Sequence, residues 1–304
     1  MKLNQLKYFC LACEKKSITK AADMLFVSQP AVSAAIKELE KEYGLKLLER
    51  QYKGFQLTEQ GKEFQKKAAV VLNEVDRFSR WAHELAEKRD SIVLGLTRST
   101  GSLVYAEVFP FFVQENSNVQ VITKPASSQE IIEALKNHQI DVAIMPESED
   151  QKKDDTLVFC RIRDMEMVYA VAEDHPLARE PYVTVPMICK EKMVSTINDF
   201  VKTRVLEELF AQYGEKPYVW QRYDQLTMVI HMIRSGHAAG FLPQDIVLRN
   251  KGIVSLHLKG VETIGVSMVW KKGSEKNQAV KKFIKSVRQY YEIAGSRTEK
   301  GKVI

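Results

Sequence analysis

Several patterns that mark common protein classes are scarce or missing in this 304-residue sequence. No apolar run reaches the roughly 20 residues that a membrane-spanning helix needs. The first ten residues, MKLNQLKYFC, lack the long apolar core of a secretory signal, which predicts a cytoplasmic location. The catalytic motifs GxSxG and GxGxxG and the Walker loop are missing, and the six histidines are scattered. The sequence therefore predicts neither an enzyme nor a membrane protein.

Cysteine is also scarce, with Cys10, Cys13, Cys160 and Cys189 as the four examples. Cys10 and Cys13 form a CxxC pair, but no second pair completes a tetrahedral zinc site, so neither a metal nor another cofactor is predicted. Both lie on a predicted helix over residues 5–16, where free cysteines usually serve as small buried hydrophobic residues. Around Cys160 and Cys189, no neighbouring cluster is predicted to stabilise a thiolate.

What the chain does contain is ordinary globular composition, with 45% hydrophobic and 28% charged residues. Its length suffices for two or three domains and a sizeable core. The formal net charge is +6, and residues 1–60 contain ten basic and seven acidic residues. A mildly basic first segment suits phosphate contact, although a solvated charged surface explains it equally well.

Residues 17–58 predict a helix, a turn, a second helix and a small β-wing. Ser17 is the predicted N-cap of the first helix. Ser28 is the predicted N-cap of the second, with Pro30 in its first turn, where a missing N–H costs little. Gly44 is a natural residue to end that helix. Such a segment is typical of domains that place one helix in a DNA groove.

The second helix of this segment has two faces of different chemistry. Its apolar positions, predicted to pack inward, are Val32, Ile36, Leu39 and Tyr43. Its outer side carries small or polar residues, namely Gln29, Ser33, Ala34 and Lys37. A helix that enters the major groove needs such a side, because close approach and hydrogen-bonding side chains are required there. The wing would add Arg50 and Lys53 as contacts to phosphates or the minor groove. From the spacing alone, a helical hairpin in an ordinary core is an equal alternative.

The same residues resemble a known family. The matching residues are Leu6-Lys7-Tyr8-Phe9, Ala21-Ala22, 27–33, 36–40, Gly44-Leu45, Leu48-Glu49-Arg50 and 57–61. In order and spacing they are similar to the winged helix-turn-helix domain of the LysR-type transcriptional regulators. The resemblance implies DNA contacts from Ser28, Gln29, Pro30, Ser33, Lys37, Arg50 and Lys53. One departure is Ala34, where many members have arginine, because alanine offers only an apolar contact, for instance with a thymine methyl group.

A long helix is predicted after the wing, in residues 59–90. Its apolar positions, spaced alternately by four and three, are Phe64, Ala68, Val71, Val75, Phe78, Ala82 and Leu85. This heptad pattern favours a coiled-coil contact with a second copy, parallel or antiparallel, over packing on the helix's own domain. The family's linker helix has the same role. Because a dimer presents two recognition helices, the operator is predicted to be an interrupted palindrome.

From residue 91 the pattern changes to alternating strands and helices, which predicts mostly parallel α/β structure. Two lobes are predicted, lobe I at about 91–163 and 266–294, and lobe II at about 164–265. Crossovers are expected near 161–166 and 265–271, and residues 295–304 are expected to fray. Residues 91–304 resemble the family's effector-binding domain, which is similar to periplasmic solute-binding proteins. The predicted domains are thus 1–58, 59–90 and 91–304.

Hydroxyl and other polar residues follow several of the predicted strands. In open α/β sheets, ligands bind beyond the carboxyl ends of strands. The candidate effector-binding residues are Ser99, Thr100, Ser102, Ser127, Ser128, Ser195, Thr196, Asn198, Tyr223, Asp224 and Phe241. Each of the small polar residues, taken singly, is more often a helix cap than a ligand contact. Their convergence on one cleft favours binding of a small anionic metabolite, with Arg98 or Arg222 as candidate counter-charges.

The sequence therefore predicts a transcriptional regulator whose DNA binding or activity responds to a small molecule. A solute-binding module without DNA regulation is one alternative. The resemblance implies another, a thiol-based redox-sensing regulator with Cys160 and Cys189 as the redox pair. The predicted partners are double-stranded DNA, the effector and the chain itself, as a homodimer or homotetramer. The resemblance also implies RNA polymerase as a partner.

Overall fold

A computed structural model describes residues 1–51, 54–87, 90–98, 100–197, 200–261 and 263–300. The predicted site residues Lys53, Ser99 and Asn198, and the side chains of Arg50 and Leu85, lie outside this description. The chain divides into two units, Met1–Lys88 and Arg89–Ile304. Within the described part, no helix is both long enough and apolar enough to cross a membrane.

The first unit contains the predicted helix-turn-helix and wing. Its elements are α1 (Leu3–Lys15), α2 (Ile18–Leu25), α3 (Gln29–Tyr43), β1 (Leu48–Gln51), β2 (Gly54–Leu57) and α4 (Glu59–Glu87). The Ser17 hydroxyl accepts the Lys20 N–H at 3.2 Å, and the Ser28 hydroxyl accepts the Ala31 N–H at 3.4 Å. Helix α3 ends at Gly44, whose φ of 64° lies in the left-handed region. The predicted caps are therefore confirmed.

The first half of α4 packs on its own unit. Phe64 meets Phe9 edge-on, with ring centroids 5.5 Å apart, and Ala68 is buried in the same core. Phe64 and Ala68 thus pack against the core of the first unit, where α1 supplies the packing surface, while the predicted dimer contact stays a prediction. Tyr43, predicted to be buried, is 44% exposed and only leans on Phe64, at 5.7 Å between centroids.

Two side chains tie the wing to the helices on either side of it. The Glu40 carboxylate, on α3, accepts the N–H groups of Leu47 and Leu48 at 2.8 and 3.1 Å. The Thr58 hydroxyl donates to the Lys46 carbonyl at 2.6 Å and accepts the Gly61 N–H at 2.8 Å. The wing, α3 and the start of α4 are therefore fixed to one another.

Replacing Gly61 by alanine is expected to loosen this junction. An added Cβ would overlap the Leu47 carbonyl oxygen, a backbone atom that cannot swing away. We expect a loss of about 1–3 kcal/mol in the free energy of unfolding of the first unit, the usual cost of overpacking. Urea unfolding of Gly61→Ala measures it, with the exposed neighbour Gln60→Ala as control. Equal stability of both variants would show that the close approach is not tight.

The second unit consists of two α/β lobes. Its elements in chain order are β3 (Asp90–Thr97), α5 (Thr100–Glu115), β4 (Val119–Ala126), α6 (Ser128–Lys136), β5 (Val142–Pro146), α7 (Glu149–Lys152), β6 (Leu157–Met165), β7 (Met167–Ala172), β8 (Tyr182–Val183), α8 (Val185–Ile188), β9 (Met193–Thr196), α9 (Phe200–Ala211), β10 (Val219–Tyr223), α10 (Leu226–Arg234), β11 (Ala239–Pro243), α11 (Gln244–Leu248), β12 (Ile253–Leu258), β13 (Ile264–Lys271) and α12 (Gln278–Lys300).

Each lobe is organised around one mixed sheet. Among the described strands, the order is β4-β3-β5-β13-β6 in the first lobe and β10-β9-β11-β7-β12-β8 in the second. Strands β3, β4 and β5 are parallel, as predicted, but β13 runs antiparallel to both of its neighbours. A core cluster with residues from both lobes includes Phe112, Phe283 and Tyr169.

The two changes of lobe lie close to their predicted positions. The chain leaves the first lobe at Glu166, within the predicted range 161–166, and is back in it at Ile264, directly before the predicted range 265–271. Residues 161–165 and 265–271 themselves are paired strands of the first-lobe sheet. Helix α12 continues to Lys300, so the predicted fraying from residue 295 is wrong up to that point.

Candidate DNA interface and effector cleft

Helix α3 presents the predicted recognition side chains on one face. Ser28, Gln29, Pro30 and Lys37 are exposed and Ser33 is partly exposed. The Gln29 side-chain amide donates to the Ser33 hydroxyl at 3.5 Å, so these two groups lie side by side. Pro30 occupies the first turn of α3 and makes no side-chain hydrogen bond, as its chemistry requires. The face offers amide, hydroxyl and ammonium groups without a bulky apolar residue.

A groove of about 410 Å³ runs between this face, the wing and the start of α2. Its lining includes Gln29, Ser33 and Lys37 together with Lys16, Thr19 and Gln51. The sequence analysis did not select Lys16 and Thr19. Lys16 could have been found, because it directly precedes the N-cap Ser17, and a cation beside the free N–H groups of a helix N-terminus indicates a phosphate contact. Gln51 donates to Gln56 across the wing at 2.6 Å.

The second half of α4 carries exposed apolar residues. Phe78 is 65% exposed and Trp81 55% exposed, with ring centroids 5.7 Å apart. Val71 and Ala82 are also exposed, and Val75 is partly buried. Trp81 was not among the predicted seam residues, because it lies between two heptad positions. Large exposed aromatic side chains of this kind are typical of a protein-protein contact.

In the second unit, a cavity of about 330 Å³ lies between the lobes. The first lobe lines it with Ser128, Gln129, Ser148, Asp150 and Gln151, and the second with Val201 and Arg204. Ser128 begins α6, where the Ser127 hydroxyl accepts the Glu130 N–H at 3.3 Å. The Ser127 N–H and hydroxyl in return donate to the Glu130 carboxylate and lower its pKa. Ser127 therefore acts as a helix cap, and Ser128 as a cavity residue.

Arg204 crosses the cavity from the second lobe to the first. Its Nη1 lies 3.2 Å from the Asp150 carboxylate, and its Nη2 donates to the Ser148 hydroxyl at 3.2 Å. Hydrogen bonds from Lys153 and Arg204 hold the pKa of Asp150 below its ordinary value. The Oε1 atom of Gln151 is buried and has no hydrogen-bond partner.

The other predicted effector residues lie elsewhere at the strand ends. Thr100 is buried at the start of α5, and the Ser102 hydroxyl donates to the Thr97 carbonyl at 3.3 Å. Asp224 forms an ion pair with Arg98 at 3.3 Å, which also joins the lobes. Four described candidates remain. The Ser195 hydroxyl donates to the Thr196 carbonyl at 3.5 Å, and Thr196 itself is buried. Tyr223 is partly buried, and Phe241 packs in the core. Of the described candidates, Ser128 alone lines the 330 Å³ cavity.

Sequence reasoning missed most residues of this cavity. Ser148 follows the carboxyl end of β5, so the rule that selected Ser127 and Ser128 after β4 would have found it as well. Asp150, Gln151 and Arg204 carry no local signal, because α7 and α9 meet only in the folded chain.

A network of charged groups joins the lobes at a third place. The Glu107 carboxylate on α5 accepts from Arg163 at 3.0 Å, from Arg249 at 2.8 Å and from the Tyr291 hydroxyl at 3.2 Å. Arg163 also donates to Asp245 on α11 at 2.5 Å. The Glu107 side chain is only 13% exposed. Burial raises the pKa of Tyr291, and the neighbouring Glu107 raises it further.

The cysteines are free thiols in this structure. Burial raises the pKa of Cys10 to about 11 and that of Cys13 to about 12. Both therefore stay protonated near neutral pH, and a protonated thiol is a poor nucleophile and metal ligand. Cys160 lies on β6 of the first lobe and Cys189 directly after α8 of the second.

Comparison with known protein families decides what these two units are. Residues 3–62 match the model of the bacterial regulatory helix-turn-helix proteins of the lysR family, and residues 86–292 match the LysR substrate binding domain. The chain belongs to the LysR family. It is a DNA-binding transcriptional regulator with an effector-binding domain, and not an enzyme. The predicted fold class is likewise confirmed.

Full-length relatives support the assignment to the LysR family. The Hca operon transcriptional activator HcaR of Escherichia coli K12 is 26% identical over 295 residues, which cover 95% of this chain and 98% of HcaR. The regulator BenM of Acinetobacter baylyi is 25% identical over 306 residues, covering 97% and 98%. The crystal structure of full-length CbnR with its target DNA shares the fold, with a TM-score of 0.68 at 19% identity over 95% of this chain and 100% of CbnR. LysR regulators bind DNA and small-molecule effectors and are oligomeric.

Proposed function

We propose that this LysR regulator binds an interrupted palindromic operator as a homodimer or homotetramer, and that a small anionic metabolite between its lobes controls this binding. The proposal rests on two features of one chain: the first unit has a polar recognition face, and the second unit has a polar cavity between its lobes. Its place of action is the cytoplasm, where its DNA is, and RNA polymerase is its further partner at the promoter.

The recognition face supports direct reading of bases. A glutamine amide both donates and accepts, which matches the N6 and N7 edge of adenine in the major groove. The Ser33 hydroxyl beside Gln29 adds a second donor and acceptor one helical turn away. Lys37 and Lys16, on the same groove, supply cations for the flanking phosphates.

The apolar strip on α4 supports self-association. Phe78 and Trp81 bring two adjacent aromatic rings to the surface of a helix whose other residues are largely polar. A second copy of α4 covers such a strip with its own, because the strip is self-complementary. Two recognition helices then contact two half-sites at once.

The interlobe contacts support control by a ligand. Arg204 with Asp150 and Arg98 with Asp224 each join one lobe to the other across polar surfaces. A ligand that binds between the lobes competes for these groups and favours one lobe arrangement over another. A rigid-body change of this kind would alter the spacing of the DNA-binding units on the operator.

Changes on the recognition face are expected to reduce specificity more than general affinity. For Gln29→Ala or Ser33→Ala we expect a loss of about 1–3 kcal/mol in operator binding, with little change on unrelated DNA, because a base contact is removed. Lys53→Ala should weaken binding to both DNAs and flatten its salt dependence. Gel-shift titrations of operator and unrelated DNA measure both quantities. The control is Ser79→Ala, an exposed serine on α4. Equal losses on both DNAs for the Gln29 and Ser33 variants would place the recognition face elsewhere.

Footprinting on the DNA upstream of the chain's own gene tests the proposal as a whole. Two protected half-sites with dyad symmetry are expected, and protection should decline steeply as salt is raised. Absence of protection at low salt, with the protein folded, would contradict the proposed operator. The footprint then provides the assay for candidate effectors.

A further inference from the structure

The interlobe cavity holds groups of both charges on facing walls. Arg204 is the cation on the second lobe, and Asp150 is the anion on the first. Ser128, Ser148 and Gln151 add neutral polar groups, and Val201 adds an apolar wall. A site for a simple anion would present cations and N–H donors and would keep carboxylates away. This site keeps a carboxylate within 3.2 Å of its guanidinium.

Arg204 is arranged to accept a ligand carboxylate. Its Nη1 and Nε atoms lie 3.2 Å from the Asp150 carboxylate and 3.5 Å from the Glu208 carboxylate, both at the long end for a charged pair, and its Nη2 donates to the Ser148 hydroxyl at 3.2 Å. Its side chain is 46% exposed, so these partners leave part of the guanidinium accessible. A ligand carboxylate in bidentate geometry would make shorter contacts than those present.

Asp150 points to a second ligand group of opposite character. Its carboxylate lines the cavity beside Arg204, and its side chain is 71% exposed, so a ligand can reach it. Hydrogen bonds from Lys153 and Arg204 lower the pKa of Asp150, which keeps it ionised near neutral pH. A ligand that carried only a carboxylate would be repelled by Asp150. A ligand ammonium group would pair with it.

We infer that the effector is a zwitterion of the amino-acid class. Its carboxylate binds Arg204, its ammonium group binds Asp150, and its side chain contacts Val201. A volume of about 330 Å³ lies near the lower limit for ligand sites, roughly 300 Å³, and suits one amino acid rather than a peptide. This inference rests on the proposed function, since it narrows the class of the ligand that controls DNA binding.

Paired ligand mixtures test the inference on the full-length protein. One mixture holds the proteinogenic amino acids, and the other holds 2-hydroxy acids with the same side chains, which keep the carboxylate and replace the ammonium group by a hydroxyl. Thermal unfolding is followed at rising concentrations of each, because a ligand of the folded state raises Tm. We expect the amino acids to raise Tm, with the most active one binding at least tenfold more tightly than its hydroxy analogue.

Variants of the cavity assign any response to this site. Arg204→Met should abolish the shift in Tm, measured against the variant's own unliganded Tm. Asp150→Asn should weaken amino-acid binding about tenfold and leave hydroxy-acid binding unchanged or improved. Asp155→Asn, an exposed carboxylate in the turn after α7, is the matched control and should respond like the native chain.

The outcomes separate this inference from the proposed function. If hydroxy acids raised Tm as much as amino acids, and Asp150→Asn did not change the binding of either, the effector would not be a zwitterion. An anionic effector between the lobes would then remain. A response to amino acids that survives Arg204→Met would place the ligand elsewhere. If neither mixture raises Tm, the zwitterion is wrong, while the DNA-binding part of the proposal still stands or fails by the footprint.

Discussion

Replacing Phe78 by glutamate is expected to weaken operator binding at least ~100-fold, the range that the loss of a linked second site produces. Phe78 is 65% exposed, so the change should leave the fold of the first unit intact. In a dimer, however, each copy would bring one uncompensated carboxylate into the apolar strip, and burying an unpaired charge is costly. The two recognition helices would then no longer be joined. Light scattering gives the mass of the variant, and gel-shift titration gives its affinity.

The matched control for this change is Ser79→Glu. It introduces the same charge at the next residue, which is also exposed but points about 100° away around the helix. We expect Ser79→Glu to stay oligomeric and to bind the operator nearly as well as the native chain. If both variants, or neither, lost the oligomer, the strip around Phe78 and Trp81 would not be the contact.

Removing the carboxylate of Glu107 is expected to cost about 3 kcal/mol in the free energy of unfolding of the second unit. Glu107→Ala deprives Arg163, Arg249 and Tyr291 of their common acceptor in a place where Glu107 is only 13% exposed. Arg163 still donates to Asp245 in this variant, so the expected loss in the free energy of unfolding is near the lower end for a broken buried ion pair. Because Arg249 lies beyond α11 in the second lobe, the change should also loosen the lobes and alter the response to effector.

Urea unfolding measures the effect, with two companion variants. Glu107→Gln keeps one acceptor oxygen and the side-chain shape, so its loss should be smaller. Glu115→Ala removes an exposed carboxylate from the end of the same helix and should change stability by less than about 0.5 kcal/mol. A Glu107→Ala variant as stable as Glu115→Ala would show that the network contributes no net stability.

Local chemistry made the first unit predictable from its residues. Ser17, Ser28 and Gly44 act through one or two backbone groups a few residues away, so their roles are visible in the sequence. The polar face of α3 follows from the same helical period. The first half of α4 was not predictable in this way, because a heptad pattern shows which positions are apolar but not which surface covers them. Phe64 is covered by Phe9 from α1.

The second unit shows where such reasoning stops. Strand β6 lies at the edge of its sheet and carries Arg161, Arg163 and Asp164, so its polar residues favoured a connecting segment over a strand. The cavity joins Gln151 from a four-residue helix to Arg204 from a helix more than 50 residues later. No local sequence pattern predicts that contact. Ser148 alone was predictable, because it follows the carboxyl end of β5, where ligands bind in open α/β sheets.

The position of β13 has a consequence for how the chain matures on the ribosome. This strand enters the first-lobe sheet between β5 and β6, although it is made after the entire second lobe. The edges of β5 and β6 that pair with β13 therefore stay unpaired while about a hundred further residues are synthesised, and unpaired strand edges tend to associate with other chains. The sheet of the DNA-binding unit has no such delay, because β1 and β2 pair with each other within the ten residues 48–57. It should be the first part of the nascent chain to resist proteolysis, with protection of β5 and β6 arriving only after Lys271 has emerged.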